Sequence, residues 1–436
     1  MKRSKKLTAM TLALGLPLAL GLAACAPSGG DSGGGTGGEG ESNKLTVWAW
    51  DPAFNIYAME EAEKVYQAEH PDFELDIVEV TWDDLQTKLT TLAQSQAFDE
   101  LPDIFLMQNN AFQKNVLNYP DLFSTYEGDA VDFSEFPSSV VDYSTIDGAN
   151  YGVPFDSGTA VTALRTDVLT EAGYTVDDFT DITWDEFITK GKDVLAKTGQ
   201  PLLSGQAGSS DLPVMMLQSA GASLFDKDGN PTIADNKVLE AAVEVYTELV
   251  DSGVLVEVNS WDEYIGTLVN SSVAGTVNGI WIVGSIQSAP DQDGLWAITN
   301  VPSLDVPDAT NYTANGGSSW ALSSTGNSEL ATDFLAETFA GSTELYDTIL
   351  PKAGAVANWI PAGDSPVYAE PVAFFGDQPI FQEVVAFGAK VPSNNTGAYY
   401  YEGRDSVSAA MTQIRGGVDM AKALAEAQAN VEFAMG

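Results

Sequence analysis

The sequence predicts an α/β protein built as two lobes, and three observations carry that prediction. From Lys44 to Met107 the apolar residues switch between period two and helical spacing in a strand–helix–strand–helix–strand order, which implies a mostly parallel sheet with right-handed crossovers. Residues 1–24 have the make-up of a leader, and the 412 residues behind them, out of 436, are too many for one ordinary core. The hydrophobic content of 44% is that of a globular chain.

The leader comes first. Lys2, Arg3, Lys5 and Lys6 precede an apolar run from Leu7 to Leu22, and small residues lead to Cys25, the one cysteine. This order is that of a cleaved secretory signal. The run spans 16 residues and is broken by Gly15, Pro17 and Gly21, whereas a membrane span needs about 20 apolar residues. Leu22-Ala23-Ala24-Cys25 resembles the lipobox of bacterial lipoproteins, which implies a lipid on Cys25 and no cysteine left for a disulfide. Residues 25–43 then form a Gly/Ser-rich tether. The expectation is a domain exported and held on the outer face of a membrane.

The folded part begins with a strand, Lys44–Trp50. A helix is predicted from Ala53 to Ala68, with Ile56, Met59, Ala62, Val65 and Tyr66 at helical spacing. Phe73–Val80 alternates as a strand, Trp82–Ala97 reads as a helix and Pro102–Met107 as a short strand. Val161–Leu164 is strand-like. Thr183 with Glu186 three residues on predicts a capping box for a helix to about Lys197. Helices follow at Lys237–Ser252, ended by Gly253, and at Trp261–Asn270. Ser272–Asn278 and Asn315–Ser323 read as strands; Ser328–Phe339, Gln378–Gly388 and Arg404–Ala434 as helical. No internal repeat is evident.

Charge excludes several classes of partner. The leader holds four of the 19 basic residues and none of the 62 acidic ones, so the remainder carries a formal charge of −47. Such a surface repels nucleic-acid phosphates and anionic headgroups. Beyond the leader the only arginines are Arg165, Arg404 and Arg415, little help to an anionic ligand. His70 is the only histidine, which leaves little material for His-rich zinc sites or His-based triads. It stands before Pro71 where the first helical pattern ends, as a residue facing the helix dipole. No metal or cofactor is expected.

In open parallel sheets ligands sit beyond the carboxyl ends of strands. Those ends carry Trp50 and Asp51, Asn109 and Asn110, Asp156, and Asn278-Gly279-Ile280-Trp281. Carboxylates, carboxamides and indoles suit neutral sugars, because the polar groups bond adjacent hydroxyls and an aromatic face covers a pyranose C–H face. Each has a plainer alternative. Asn109-Asn110 serves equally as a turn, Trp281 and Trp48 as core, and Asp51 as a helix cap before Pro52.

Several segments together resemble the sugar-binding proteins of ABC importers, of the maltose-binding type. They are Leu45–Trp50, Pro102-Asp103-Ile104-Phe105 with Asn109-Asn110-Ala111-Phe112, Tyr151–Pro154, Thr183–Phe187, Val273–Trp281 and Asn315-Gly316-Gly317. The resemblance implies a two-lobed periplasmic-binding-protein type II fold with a ligand cleft between lobes. It divides the chain into lobe 1, residues 44–154 plus 317–364, and lobe 2, residues 155–316 plus 365–436. Hinges fall near Pro154–Thr159, Asn315–Ser318 and Pro361–Pro366. The implied ligand is an oligosaccharide, delivered by a monomeric receptor to the permease subunits of an importer. By position it implies ligand contacts from Trp50, Asp51, Asn109, Asn110, Asp156, Trp281, Gly317, Trp359, Tyr399 and Tyr400. Asn110 stands where a maltose binder has a basic residue, which argues against maltose.

Two motifs are decoys. Gly30-Asp31-Ser32-Gly33-Gly34 spells a serine-protease nucleophile motif inside the tether, where no oxyanion hole can be held. Asp226–Asn230 opens like a calcium loop but lacks its closing acid, so a hairpin turn is expected. The rival functions are a cell-surface glycoside hydrolase, which needs two carboxylates about 5–10 Å apart, and a receptor for a cationic ligand such as a polyamine.

Overall fold

A computed structural model describes residues 43–52 and 54–436. The leader, Cys25 and nearly all of the tether lie outside the described residues, as does the whole serine-protease-like motif Gly30–Gly34.

The strands in chain order are β1 Lys44–Ala49, β2 Glu74–Glu79, β3 Ile104–Gln108, β4 Phe123–Ser124, the short pair β5 Thr145–Ile146 and β6 Ala149–Asn150, β7 Gly152–Asp156, β8 Ala160–Arg165, β9 Leu203–Gln206, β10 Leu255–Val258, β11 Gly275–Gly279, β12 Trp296–Thr299 and β13 Ser318–Ser323. The first sheet runs β2-β1-β3-β13-β4, with β7 also on β13. β1 is parallel to β2 and β3, as the sequence order implies, and β13 is antiparallel to its neighbours. Asp103 ties this sheet at its start. Its carboxylate accepts the Thr46 N–H at 2.7 Å and the Asn327 N–H at 2.7 Å.

Both faces of the first sheet are covered, which the period-two alternation explains. Leu45, Val47, Ile104, Leu106, Trp320 and Leu322 point into one core, under the helices Asn55–Gln67, Ser328–Glu337 and Thr343–Ala353. Trp48, Phe105, Met107 and Ala321 point into the other, under Trp82–Ser95 and Phe112–Asn118. Trp48 is therefore core. Trp50, beyond the strand end at Ala49, packs on the opposite side.

The second lobe departs from the parallel expectation. Its sheet β11-β8-β12 is antiparallel throughout, with a parallel pair β9–β10 beside it. One core joins the helices Trp184–Thr198, Lys237–Asp251, Tyr400–Arg415 and Met420–Met435. Another lies under Ile282–Gln287 and Ile380–Gly388. The Thr183–Glu186 capping box is present in both directions, and Gly253 takes the left-handed conformation that ends its helix. The helical stretch near the C-terminus is two helices, parted at Gly416-Gly417. Asp226–Asn230 is a tight turn, with the Asp226 carboxylate accepting the N–H groups of Asp228 and Asn230 at 2.9 Å each.

The chain passes between the sheets at Asp156–Ala160 and at Thr313–Ser318. These passages are bonded to each other, Asn315 N–H to Gly158 carbonyl at 2.7 Å and Ala160 N–H to Thr313 carbonyl at 2.9 Å. The third passage begins before Pro361. Ser157 N–H bonds the Val356 carbonyl at 2.9 Å, Val356 lies in a second-lobe core, Trp359 and Ala362 return to the first, and Tyr368 is back in the second.

Candidate functional site

Trp281 is the best-defined element of the site. It follows β11, half-buried, and its indole N–H donates to the Asn315 carbonyl at 2.9 Å. Asn315 is fixed in turn, because its amide donates to the Asn278 side chain at 2.9 Å. Asn278 donates to the Tyr264 hydroxyl at 3.0 Å, and that hydroxyl meets Thr276. A buried polar chain from β11 to the crossing segment thus sets the angle of one ring. Glycine makes room for it. A Cβ on Gly279 would stand 2.2 Å from the indole nitrogen and 2.6 Å from the Asn315 carbonyl oxygen. Beside Trp281, at 5.8 Å between ring centroids, lies Trp261, 43% exposed at the first turn of the helix Trp261–Val269.

Next to this aromatic pair is a depression of about 60 Å³, lined among others by Ser209, Asp211, Trp261, Tyr264, Asn278 and Asn315. A second, of about 20 Å³, shares Asp211 and Asn315 with it and adds Asn110, Tyr143, Tyr400 and Arg404. Arg404 is paired with Asp211 and lies 5.7 Å from the Tyr400 ring. Asn110 accepts the Tyr401 hydroxyl at 3.0 Å and hydrogen-bonds Tyr400 as well. Tyr143, whose hydroxyl burial pushes up to about 12, bonds Asn394 and Gln218. First-lobe residues therefore already touch the C-terminal segment. Ligand pockets run to about 300–1,000 Å³, so a sugar enters this region only when its walls part.

A larger cavity of about 370 Å³ lies against the same crossing segments, between the helix Ser138–Ser144 and the helix Ile380–Gly388. Size alone favours it. Its exposed surface is mostly apolar, from Val140, Val356, Ile360, Val384 and Val385, with Ser139, Tyr143, Thr159, Gln218 and Asp364 among its polar members, and the indole N–H of Trp359 on its border is taken by Glu135 at 2.8 Å. No braced aromatic face stands over those polar groups, since the Trp359 ring is packed in the first-lobe core, so the smaller region beside Trp261 and Trp281 is the better site.

The structure brings Asn110, Trp281 and Tyr400 to that region. Asn109 and Gly317 support it from beneath. The Asn109 carboxamide accepts the Ser319 hydroxyl at 2.7 Å, its N–H meets the Gly317 carbonyl at 2.9 Å, and a Cβ on Gly317 would stand 2.9 Å from its nitrogen. Trp50 is half-buried with its ring edge on Trp82 at 5.3 Å, and Asp51 is exposed beside it. Asp51 is not the cap of the first helix. Phe54 holds the N-cap position, and the Asn55 carboxamide takes the N–H groups of Trp50 and Asp51 at 3.1 and 3.0 Å.

Three expected contacts fall elsewhere. The Asp156 carboxyl is only 2% exposed, bonded to Ser318 at the junction of crossing segments, and burial pushes it up to about 7. Its Oδ1 has no partner. Trp359 belongs to the first-lobe core. Tyr399 is the N-cap of the helix Tyr400–Arg415 and packs on the second-lobe core. Sequence reasoning also missed Trp261, Asp211, Tyr143 and the placement of Arg404. Only Trp261 left a signal, a tryptophan on the first turn of a Ser260-capped helix, where core seldom reaches.

Residues 61–356 match the family of bacterial extracellular solute-binding proteins. A lactose-binding protein of Rhizobium radiobacter is 37% identical over 84% of this chain and 87% of its own length. The chain belongs to the bacterial extracellular solute-binding protein family. The fold of this solute-binding protein is also that of solved receptors. An ABC transporter associated binding protein from B. animalis subsp. lactis, in complex with β-1,6-galactobiose, superposes with a TM-score of 0.72 at 18% identity, over 89% of this chain and 96% of that one. The galacto-N-biose-/lacto-N-biose I-binding protein of the ABC transporter from Bifidobacterium longum, in complex with lacto-N-biose, gives 0.71 at 17% identity, over 90% and 96%. Both have the two-lobed type II architecture. Among the described residues of this solute-binding protein, no helix is long and apolar enough to cross a membrane.

Proposed function

We propose that the protein captures an oligosaccharide between its lobes and delivers it to the permease of an ABC importer. The observation that carries this reading is the Trp261–Trp281 pair, held at a set angle by the Thr276–Tyr264–Asn278–Asn315 chain beside a polar patch. An indole oriented by buried hydrogen bonds is a platform for a pyranose face. Trp50, Asp51, Asn110, Trp281 and Tyr400 are its proposed ligand contacts, with Asn109 and Gly317 as supports. Lactose, named for the relative at 37% identity, is the first candidate.

The rival functions fit the carboxylates less well. Asp211 is paired with Arg404, so its charge is already met. Asp156, the carboxyl raised to about 7, faces the hinge. A glycosidase needs an acid and a base across a bond, and neither group serves; among the proposed contacts Asp51 is the one acid, beside two tryptophans, an asparagine and a tyrosine, a lining that suits a neutral sugar better than a cation.

The same reading takes residues 1–24 as a signal, Cys25 as the lipidated first residue, 25–43 as a tether and the outer face of the membrane as the working place. Lobe 1 is 44–154 plus 317–364 and lobe 2 the remainder, in a monomer. Calorimetry against lactose, other β-galactosides, maltose and spermidine, with chromatography of each mixture afterwards, tests the function. Binding of one sugar left intact supports it; cleavage of the sugar, or binding of spermidine alone, overturns it. Mass spectrometry of the N-terminal peptide tests the lipid on Cys25.

A further inference from the structure

We infer a site for one transition-metal ion of the Zn²⁺ class on the outside of the first lobe, formed by His70, Asp333 and Glu337. Their ligating atoms lie within 4.8 Å of one another. The residues come from distant parts of the chain. His70 follows the helix Asn55–Gln67, and Asp333 and Glu337 are one turn apart on the helix Ser328–Glu337, a spacing that places two carboxylates on one helix face. His70 Nε2 stands 3.1 Å from Glu337 Oε2. Metal–ligand bonds of about 2.0–2.2 Å give a tetrahedral edge of roughly 3.4 Å, so this pair already has the separation that joint ligation requires. Asp333 offers one carboxylate oxygen within 4.8 Å of both. Three protein ligands leave one position for water.

The supporting side chain is what sets this cluster apart from an ordinary surface ion pair. Tyr66 is 2% exposed, so it is held by the core. Its hydroxyl donates to Asp333 Oδ2 at 2.6 Å, and its ring stacks on the His70 imidazole, 3.9 Å between centroids and 10° from parallel. One rigid tyrosine thereby orients two of the three ligands, the arrangement that outer groups supply to metal sites. Among the described residues, neither carboxylate is paired with a lysine or arginine. Two acids on one turn, within a chain of net charge −43, favour a cation. An imidazole with two carboxylate oxygens selects a borderline ion over Mg²⁺ or Ca²⁺, which prefer oxygen alone.

The test uses the full chain purified without a histidine tag, so that His70 is the sole imidazole. Zn²⁺ is titrated into metal-stripped protein carrying isotope-labelled histidine, with heat and the imidazole resonances followed together. The expected result is one equivalent of Zn²⁺ bound, the His70 signals moving in step with it. His70→Gln should abolish that step, and Glu337→Gln and Asp333→Asn should each weaken it at least tenfold, with circular dichroism of all three unchanged. An imidazole signal that Zn²⁺ does not move, or equal Zn²⁺ affinity in His70→Gln, overturns the site.

Discussion

The two walls of the cleft use the same residue types in opposite ways. On the first lobe, carboxamides hold backbone and neighbouring chain: Asn55 secures the Trp50–Asp51 turn, Asn109 grips Ser319, and Asn110 reaches Tyr400 and Tyr401. On the second lobe, Asn278 and Asn315 hold an aromatic ring. The difference follows from topology. β1 and β3 are parallel, so their carboxyl ends lie together and their polar residues shape the edge of one sheet. β11 runs antiparallel to β8, so its carboxyl end meets the start of β8 at the hinge, where a rigid ring can be braced by a crossing segment. The first wall shapes the cleft, and the second supplies its rigid contact surface.

Removing that surface should have the largest effect. Trp281→Ala is expected to lower sugar affinity by about 100-fold, roughly 3 kcal/mol, as loss of a central aromatic anchor does. The melting temperature should fall only modestly, because Trp281 is half-buried and packs on the edge of a second-lobe core rather than inside it. Calorimetry beside thermal unfolding checks both halves. Equal losses from Trp281→Ala and Asn109→Ala would erase the contrast between the walls.

Between the walls lies the hinge, and Asp156 gives it a pH signature. Its folded pKa of about 7 is set by burial and exceeds the unfolded carboxylate value. Between the two values the folded state holds a proton that the unfolded state has released, so this group's contribution falls as pH rises. Over pH 5.5 to 7 the change is about 2 kcal/mol. Asp156→Asn, neutral throughout, should therefore gain stability over the parent as pH rises and show little gain at pH 5.5. Urea unfolding at both pH values reads the difference, and a constant gap between the two proteins would place the proton elsewhere.

A glycine sharpens the claim that the second wall is braced. Gly279→Ala leaves Trp281 in place but drives a methyl toward its indole nitrogen and the Asn315 carbonyl. The ring must turn, and about tenfold of affinity, near 1.4 kcal/mol, should go with its orientation. Tryptophan fluorescence should shift in the ligand-free protein. Unchanged affinity would mean that the ring is present but its angle is irrelevant.

These sites differ in how far the sequence discloses them. Trp281 is legible because Asn278-Gly279-Ile280-Trp281 ends a strand, and the first sheet is legible because its pleat and crossovers are local patterns. Asp156 reads equally well as a cleft residue or a hinge residue, since burial is decided by Ser318 and Asn358, which pack on it from the far end of the chain. The antiparallel order of β11, β8 and β12 has no local signature, because the strands are separated by helices that would suit either direction. His70 is the extreme case. Its neighbours in sequence describe a helix end, and its partner Glu337 is 267 residues away.

The smallest effect tests whether the first wall's polar groups act by holding the lobes together. Tyr401 donates to Asn110 at 3.0 Å, and Gly397 N–H donates to Gln113 on the same wall at 2.6 Å. Tyr401→Phe removes one such bond while Asn110 keeps Tyr400, so the cost is about 1 kcal/mol. If the bond forms only with the lobes together, that cost falls on the closed state alone. Sugar affinity should then drop about fivefold, and the ligand-free protein should expand in solution scattering, then contract to the parent's dimensions when sugar is added. Trp281→Ala should leave the ligand-free scattering unchanged, since its ring contacts its own wall and the crossing segment. A scattering change in Trp281→Ala but not in Tyr401→Phe would reverse the two roles and make the aromatic wall the clasp.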